Sequence, residues 1–291
     1  MKIASIETGS GPSIGIRDHD GSIIDLRHLG TGVPANLRQL LELGPDALAD
    51  IEKKSRTISD RLDPATIRFL PPVPEPHAVW CTALNYRTHV EEGSWEQPSW
   101  PPWFLRASGS LCGHEEPIVQ PLVSDKLDYE GELAVVIGTR ARHVPESEAY
   151  DVIAGYSCFN DASVRDWQRH TAQITSGKNF AQTGAFGPWM TTKDEVPAIE
   201  TARLTTRLNG KTMQQAQIGE MIFGIPQLIN YLSTMCELRP GDVVVAGTPG
   251  GVGARQTPPL FMKSGDVVEV EIENVGLLRN PIIREAKVTG P

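Results

Sequence analysis

The chain has 291 residues, 40% apolar and 22% charged, enough to bury a sizeable core as one large domain or one domain with an appendage. Its formal charge of −9 argues against non-specific binding to nucleic acid or to an anionic membrane. No stretch reaches the roughly 18 apolar residues of a membrane span, Met1-Lys2-Ile3 does not open a signal peptide, and Cys81, Cys112, Cys158 and Cys236 are scattered without a C-x-x-C pair, which together suggest a cytoplasmic protein with reduced thiols.

Residues 1–70 read as a small α+β domain. Lys2–Ile6, Ser13–Arg17 and Ser22–Asp25 have strand character, Asp20-Gly21 signals a hairpin, and Asn36–Leu43 and Asp46–Ile58 look helical. Pro71, Pro72, Pro74 and Pro76 then stiffen a linker, because proline fixes φ and disfavours helix in the residue before it. Residues 71–291 form the second, β-rich domain. Ala78–Thr82 leads into a helix start at Asn85–Glu92, and Gly93–Pro102 is an aperiodic loop rich in Trp, Ser and Pro. Leu133–Ile137 is an all-apolar run that reads as a strand buried on both faces. Val152–Phe159 is a further apolar strand closing on Asn160-Asp161, and Ser163–Thr171 looks helical, with Ser163 and Asp166 resembling a capping box. Asn209-Gly210 marks a hairpin, Ile225, Leu228, Ile229 and Leu232 recur at helical spacing, and Gly247–Gly253 is a glycine-rich loop.

If the central strand extends back to Asp128, its period of two places Asp128, Glu130 and Glu132 on one face. Carboxylates gathered on a partly buried surface repel one another and are costly to desolvate, and a bound divalent cation relieves both penalties. The chain carries its own control: Glu269, Glu271 and Glu273 share the spacing, but they alternate with Val268, Val270 and Ile272 and need be no more than the solvated side of an amphipathic strand. Asp161 reads either as a helix N-cap or as a third oxygen ligand beside Glu130 and Glu132. His89 and Glu92 lie three apart, so one helix face pairs them, either as a surface contact or as a carboxylate that orients an imidazole base. Lys178 in a glycine-marked turn is either solvated or a cation for a substrate oxygen. Arg165 and Gln168, four and seven residues past Asp161, would share its face on one helix. Gly247–Gly253 has neither the phosphate-loop order nor the dinucleotide spacing; it suits close approach of backbone to a ligand, with Thr248 as a hydroxyl donor.

Together these stretches resemble the fumarylacetoacetate hydrolase family. Asn85-Tyr86-x-x-His89, Asp128-Tyr129-Glu130-Gly131-Glu132-Leu133, Asn160-Asp161-x-Ser163-x-Arg165-Asp166-x-Gln168, Gly177-Lys178-x-Phe180 and Gly247-Thr248-Pro249-x-Gly251-Val252-Gly253 occur in the family's order, and the likeness runs from about residue 71 to the C-terminus. The resemblance implies an α+β, β-rich fold, a core of rolled mixed sheets behind a small N-terminal α+β domain, in a homodimer. It implies Mg²⁺, or Mn²⁺ or Ca²⁺ instead, held by Glu130, Glu132 and Asp161. It gives His89, Glu92 and Lys178 catalytic roles and assigns substrate contacts to Tyr86, Arg106, Arg165, Gln168, Gln214 and Thr248. Arg106 stands where many relatives have lysine, and Ile218 where many have threonine.

The activity this implies is metal-dependent hydrolysis of a C–C bond in a 1,3-dicarbonyl acid such as an acylpyruvate or fumarylpyruvate. The alternative is decarboxylation of an oxaloacetate-type β-oxo acid, or isomerisation or hydration of a 2-oxo acid, at the same metal site. A binding protein that keeps the fold without catalysis is a third reading, and the retained Glu130, Glu132, Asp161, His89 and Lys178 set argues against it.

Overall fold

The computed structural model describes residues 1–30 and 32–286. The strand Gly131–Ile137 lies at its centre, and every residue in it is buried. Leu133, Val135 and Ile137 point into one core, and Ala134 and Val136 into a second on the opposite side. The apolar run of the sequence is therefore a strand covered on both faces.

Among the described residues this strand belongs to an eleven-stranded mixed sheet. Its path runs Ile23–Asp25, Gly11–Arg17, Lys2–Thr8, Gly184–Thr192, Ile153–Asp161, Gly131–Ile137, Val243–Val245, Val79–Thr82 and Trp103–Arg106, with two short strands pairing from the side. A five-stranded sheet covers one face. Its Val268, Val270, Ile272 and Leu278 meet Leu133, Val135 and Tyr156, and the helix Ile225–Met235 closes that core with Leu228, Ile229 and Leu232. On the other face the helices Leu37–Glu42 and Pro45–Ser55 bury Leu37, Leu40, Leu41 and Ile51 against Ala134, Val136, Val243 and Val245. The β-rich α+β class read from the sequence is the class observed. The first 70 residues join the main sheet directly: Lys2 and Ile3 pair with Thr191 and Met190.

Glu269 and Glu271 are half-buried between the buried Val268, Val270 and Ile272, and Arg207 pairs with Glu271. They are the solvated side of an amphipathic strand, as the control required.

Two local expectations are corrected. Ser163–Thr171 is not a helix: Ser163–Val164 forms a short ladder with Leu127–Asp128, and a 3₁₀ turn at Trp167–Arg169 follows. Ser163 does not cap anything; its hydroxyl donates to Glu130 Oε2 at 2.9 Å, while the Asp166 carboxylate accepts from the Trp167 N–H. Long-range pairing overrides helical spacing there. The strand also does not run unbroken from Asp128. Leu127–Asp128 pairs in the separate ladder and regular pairing with the main sheet resumes at Gly131, so the period of two does not carry Asp128 onto the face of Glu130 and Glu132.

Candidate active site

Glu130, Glu132 and Asp161 come together at the end of the central strand because Ile153–Asp161 runs antiparallel beside it. Gly131 lies opposite Asn160, Glu132 opposite Phe159, and the Asp161 N–H donates to the Glu130 carbonyl at 2.8 Å. All three side chains are buried, and one oxygen from each lies within 4.8 Å of the others. Glu130 is well compensated. Burial alone would make it a weaker acid, but Arg165 and Lys178 outweigh burial and hold the carboxyl below the usual range. Lys178 is likewise buried and would lose its proton more easily for that reason, yet Asp161 and Glu130 keep it charged. Glu132 differs. Burial, then the neighbouring Asp161 and Glu130, push its carboxyl well above the ordinary value, and its hydrogen bond comes from the Gly247 N–H at 2.6 Å. An all-oxygen donor set with one carboxylate that no cation among the described residues pairs directly fits a hard divalent ion.

The glycine-rich loop explains how this arrangement is held. Val243–Val245 pairs with the central strand on the side away from Asp161, which delivers the loop to the site. Its backbone N–H groups then serve the protein's own carboxylates: Gly247 donates to Glu132, Gly251 to Glu92 Oε2 at 2.7 Å, and Gly253 and Ala254 to the two oxygens of Asp128 at 2.8 and 2.9 Å. Asp128 is therefore an anchor for this loop and for Arg165, whose Nε lies 2.8 Å from Asp128 Oδ2. A methyl group on Gly253 would overlap the Leu260 carbonyl and crowd Asp128. Gly253→Ala is expected to cost about 1–3 kcal/mol, read as a lower thermal unfolding midpoint.

His89 and Glu92 sit on the short helix Arg87–Gly93, with Nδ1 of His89 2.7 Å from Glu92 Oε1. An ionised carboxylate only accepts, so Nδ1 carries the hydrogen and Nε2 keeps its lone pair. Asn85 fixes the entry to this helix by donating to the carbonyls of Phe223 and Ala246. His89 lines a cavity of about 290 Å³ together with the acidic trio, Arg165, Gln168, Lys178 and Thr248.

The other residues singled out in the sequence have varied positions. Gln168 lines the cavity and its Oε1 accepts from Arg165 Nη1 at 3.2 Å. These two reach the site from an irregular segment, not from one helix face. The Thr248 hydroxyl donates to the Gly131 carbonyl and accepts from Gln214 Nε2. Gln214 also accepts from the Gly131 N–H, so it braces the loop from behind the cavity wall. Tyr86 is buried in the core, its hydroxyl without a partner among the described residues. Arg106 lies behind Asp161, donating to Asp161, Thr183 and the Ala162 carbonyl, and does not line the cavity. Ile218 is fully buried. Of the loop tryptophans, Trp95 lines the cavity, whereas Trp100 is exposed and turned towards Tyr231. The cavity residues that sequence patterns missed include Phe104, Ile174, Arg169 and Arg255. They come from four segments with no shared spacing, and only the adjacency of Arg169 to Gln168 was available as a signal.

The family model for the C-terminal region of fumarylacetoacetate hydrolase matches residues 78–283. The chain belongs to the fumarylacetoacetate hydrolase family. A Xenopus laevis member named as a mitochondrial oxaloacetate tautomerase is 34% identical over 288 residues, 97% of this chain and 90% of that protein. A solved fumarylacetoacetate hydrolase from Exiguobacterium antarcticum superposes with a TM-score of 0.85 at 30% identity, covering 98% of this chain and 100% of the other. A maleylpyruvate hydrolase from Sphingobium sp. SYK-6, solved with manganese(II) and pyruvate, gives a TM-score of 0.83 at 27% identity with the same coverage. The family thus includes hydrolases and a tautomerase. No helix among the described residues is long and apolar enough to cross a membrane.

Proposed function

We propose that this chain is a divalent-metal-dependent hydrolase that cleaves a C–C bond in a 1,3-dicarbonyl acid of the acylpyruvate or fumarylpyruvate type. The observation that carries the reading is the His89–Glu92 pair in the same cavity as the buried Glu130, Glu132 and Asp161. Mg²⁺ is the proposed ion, with Mn²⁺ as an alternative suggested by the manganese-bound relative. Held by the three carboxylates, it would supply Lewis-acid polarisation to the 2-oxo acid end of the substrate.

The chain's own groups account for the rest. Glu92 holds the His89 imidazole in the tautomer with a free Nε2, which takes a proton from water. The hydroxide adds to the carbonyl carbon distal to the 2-oxo acid. Arg165, Gln168 and Lys178 face the cavity as cation and amide donors for the oxyanion that forms. The C–C bond then breaks, its electron pair leaves with the pyruvate fragment, and that carbon takes up a proton. The products are pyruvate and a carboxylic acid.

A second reading is favoured by the relative named as an oxaloacetate tautomerase. In it His89 moves a proton between carbon and oxygen of a 2-oxo acid without consuming water. The partners proposed are a small 2-oxo acid and a second copy of the chain, in a reducing cytoplasm that suits four free cysteines. The test follows the ultraviolet absorbance of acetylpyruvate and longer acylpyruvates with Mg²⁺ and then with EDTA. Chelator-sensitive loss yielding pyruvate plus an acid is the expected result. No acylpyruvate cleavage, with metal-dependent enol–keto exchange of oxaloacetate, would replace hydrolysis with the tautomerase reading.

A further inference from the structure

Glu92 holds His89 at one atom, Nδ1. A single hydrogen bond is a pivot: it sets the tautomer, but it leaves the plane of an imidazole free to swing, and a base that swings loses the geometry its proton transfer needs. A second restraint on the ring comes from the residues just past the end of its helix.

The helix Arg87–Gly93 closes in a Schellman turn. Ser94 takes the left-handed conformation at φ 52°, its N–H donates to the Glu91 carbonyl at 3.0 Å, and the Trp95 N–H donates to the Val90 carbonyl at 3.1 Å. The turn reverses the chain and lays the Trp95 indole back over the helix it has just left. The ring rests on Gly93, where an added methyl group would lie 2.1 Å from Trp95 Cε3. It meets the His89 imidazole edge-on, with centroids 5.3 Å apart and planes at 63°. The Arg255 guanidinium lies over the same ring at 4.7 Å, carried by the turn Gly253–Arg255, whose first two N–H groups are fixed by Asp128. Trp95 is 41% exposed, so the gain from burying it is only part of what a core tryptophan would give. Trp100, further along the same loop, turns towards Tyr231 and has no such place beside the base.

We infer that Trp95 is a positioning residue: braced by Gly93 and Arg255, its indole fixes the plane of the His89 imidazole, so that Nδ1 stays on Glu92 while Nε2 is presented to the cavity. The inference rests on the proposed reading of His89 as the base, in hydrolysis and in tautomerisation alike. Trp95 acts through His89 and not on the substrate.

The test is a double-mutant cycle on the Mg²⁺-loaded full chain, read with acetylpyruvate cleavage or oxaloacetate enol–keto exchange, whichever the chain performs. Trp95→Ala is expected to lower kcat about ten- to hundredfold, the scale of a small misplacement of a reacting group, with KM within about twofold of native. In the His89→Ala background the same substitution should change the residual rate by less than about twofold, because the ring it positions is gone. Trp95→Phe should recover most of the loss. Gly93→Ala should also lower kcat: alanine suits the helix better than glycine, and its methyl group drives the indole off without removing it. Circular dichroism checks that each variant is folded. A readout independent of turnover is the ring-nitrogen correlation spectrum of the isotope-labelled chain, in which the His89 signals are those lost in His89→Ala. At a pH where the imidazole is neutral, the native chain should show the Nδ1–H tautomer alone and Trp95→Ala a mixture of both tautomers. Native kcat in Trp95→Ala or Gly93→Ala, an equal loss in both backgrounds, or an unchanged tautomer in Trp95→Ala would overturn the inference. If His89→Ala itself keeps native activity, the reading of His89 as base falls, and the tautomer measurement still decides whether Trp95 holds the ring.

Discussion

Glu132→Gln is expected to weaken divalent-cation binding by at least about a hundredfold while leaving the metal-free protein as stable as the native one or more so. In the proposed site Glu132 would ligate the ion directly, and its replacement should cost no less than the 10–100-fold typical of the groups that merely orient a ligand. The stability half follows from the surroundings of Glu132. Its buried carboxylate faces Asp161 and Glu130 and has, among the described residues, only the Gly247 N–H as a hydrogen-bond donor. The uncharged amide relieves that repulsion and spares the desolvation of an ion. The measurement is thermal unfolding with and without Mg²⁺. The native chain should gain stability with added ion, because the folded state alone binds it, and the variant should gain none. A variant that loses several degrees without metal would refute this account of the site. Glu130 and Asp161 do not allow so clean a test. They neutralise Lys178, Arg165 and Arg106, and removing either takes one partner out of a buried charge network, which costs about 3–5 kcal/mol.

His89→Ala should lower kcat by roughly 10²–10⁴-fold, the usual contribution of a positioned general base. KM and the affinity for the ion should stay close to native, because His89 is not one of the carboxylates that gather the ion. The short helix should survive, since Glu92 keeps its bond to the Gly251 N–H and Asn85 keeps its contacts. Glu92→Gln should produce a smaller loss of kcat, because an amide can still meet Nδ1 but no longer stabilises a charged imidazolium. Full activity in His89→Ala would remove the histidine as base and shift attention to a water oriented by other cavity groups. A loss of ion binding in the same variant would mean that His89 acts through the metal site.

Much of the site is legible without a structure, and the reason is local. An all-apolar run such as Leu133–Ile137 can only be buried on both faces, and an imidazole and a carboxylate three residues apart on a helix can only be neighbours. The same reasoning separates Glu269 and Glu271 from the acidic stretch, since their strand has one apolar side and the central strand has two. The likeness to a known family added order to these fragments by placing Asp161, Lys178 and Thr248 in one cavity with them.

Other assignments depended on groups far apart in the chain. Asp128 leaves the face that its spacing gave it because Gly253 and Ala254, more than 120 residues away, offer two backbone N–H groups. Ser163 joins a ladder with Asp128 and gives up the helix that its neighbours allowed. Arg106 turns behind Asp161, where a guanidinium can satisfy several buried acceptors at once, and so does not meet a ligand in the cavity. Periodicity records what lies one to four residues away; it carries no information about which distant backbone will offer a hydrogen bond to a buried charge. The sequence by itself determined the two-sided central strand and the pairing of His89 with Glu92, and it singled out Glu130 and Glu132 at the head of that strand. The tertiary structure alone decided which carboxylates face the cavity and which anchor its walls, because a buried charge settles wherever its hydrogen bonds can be completed.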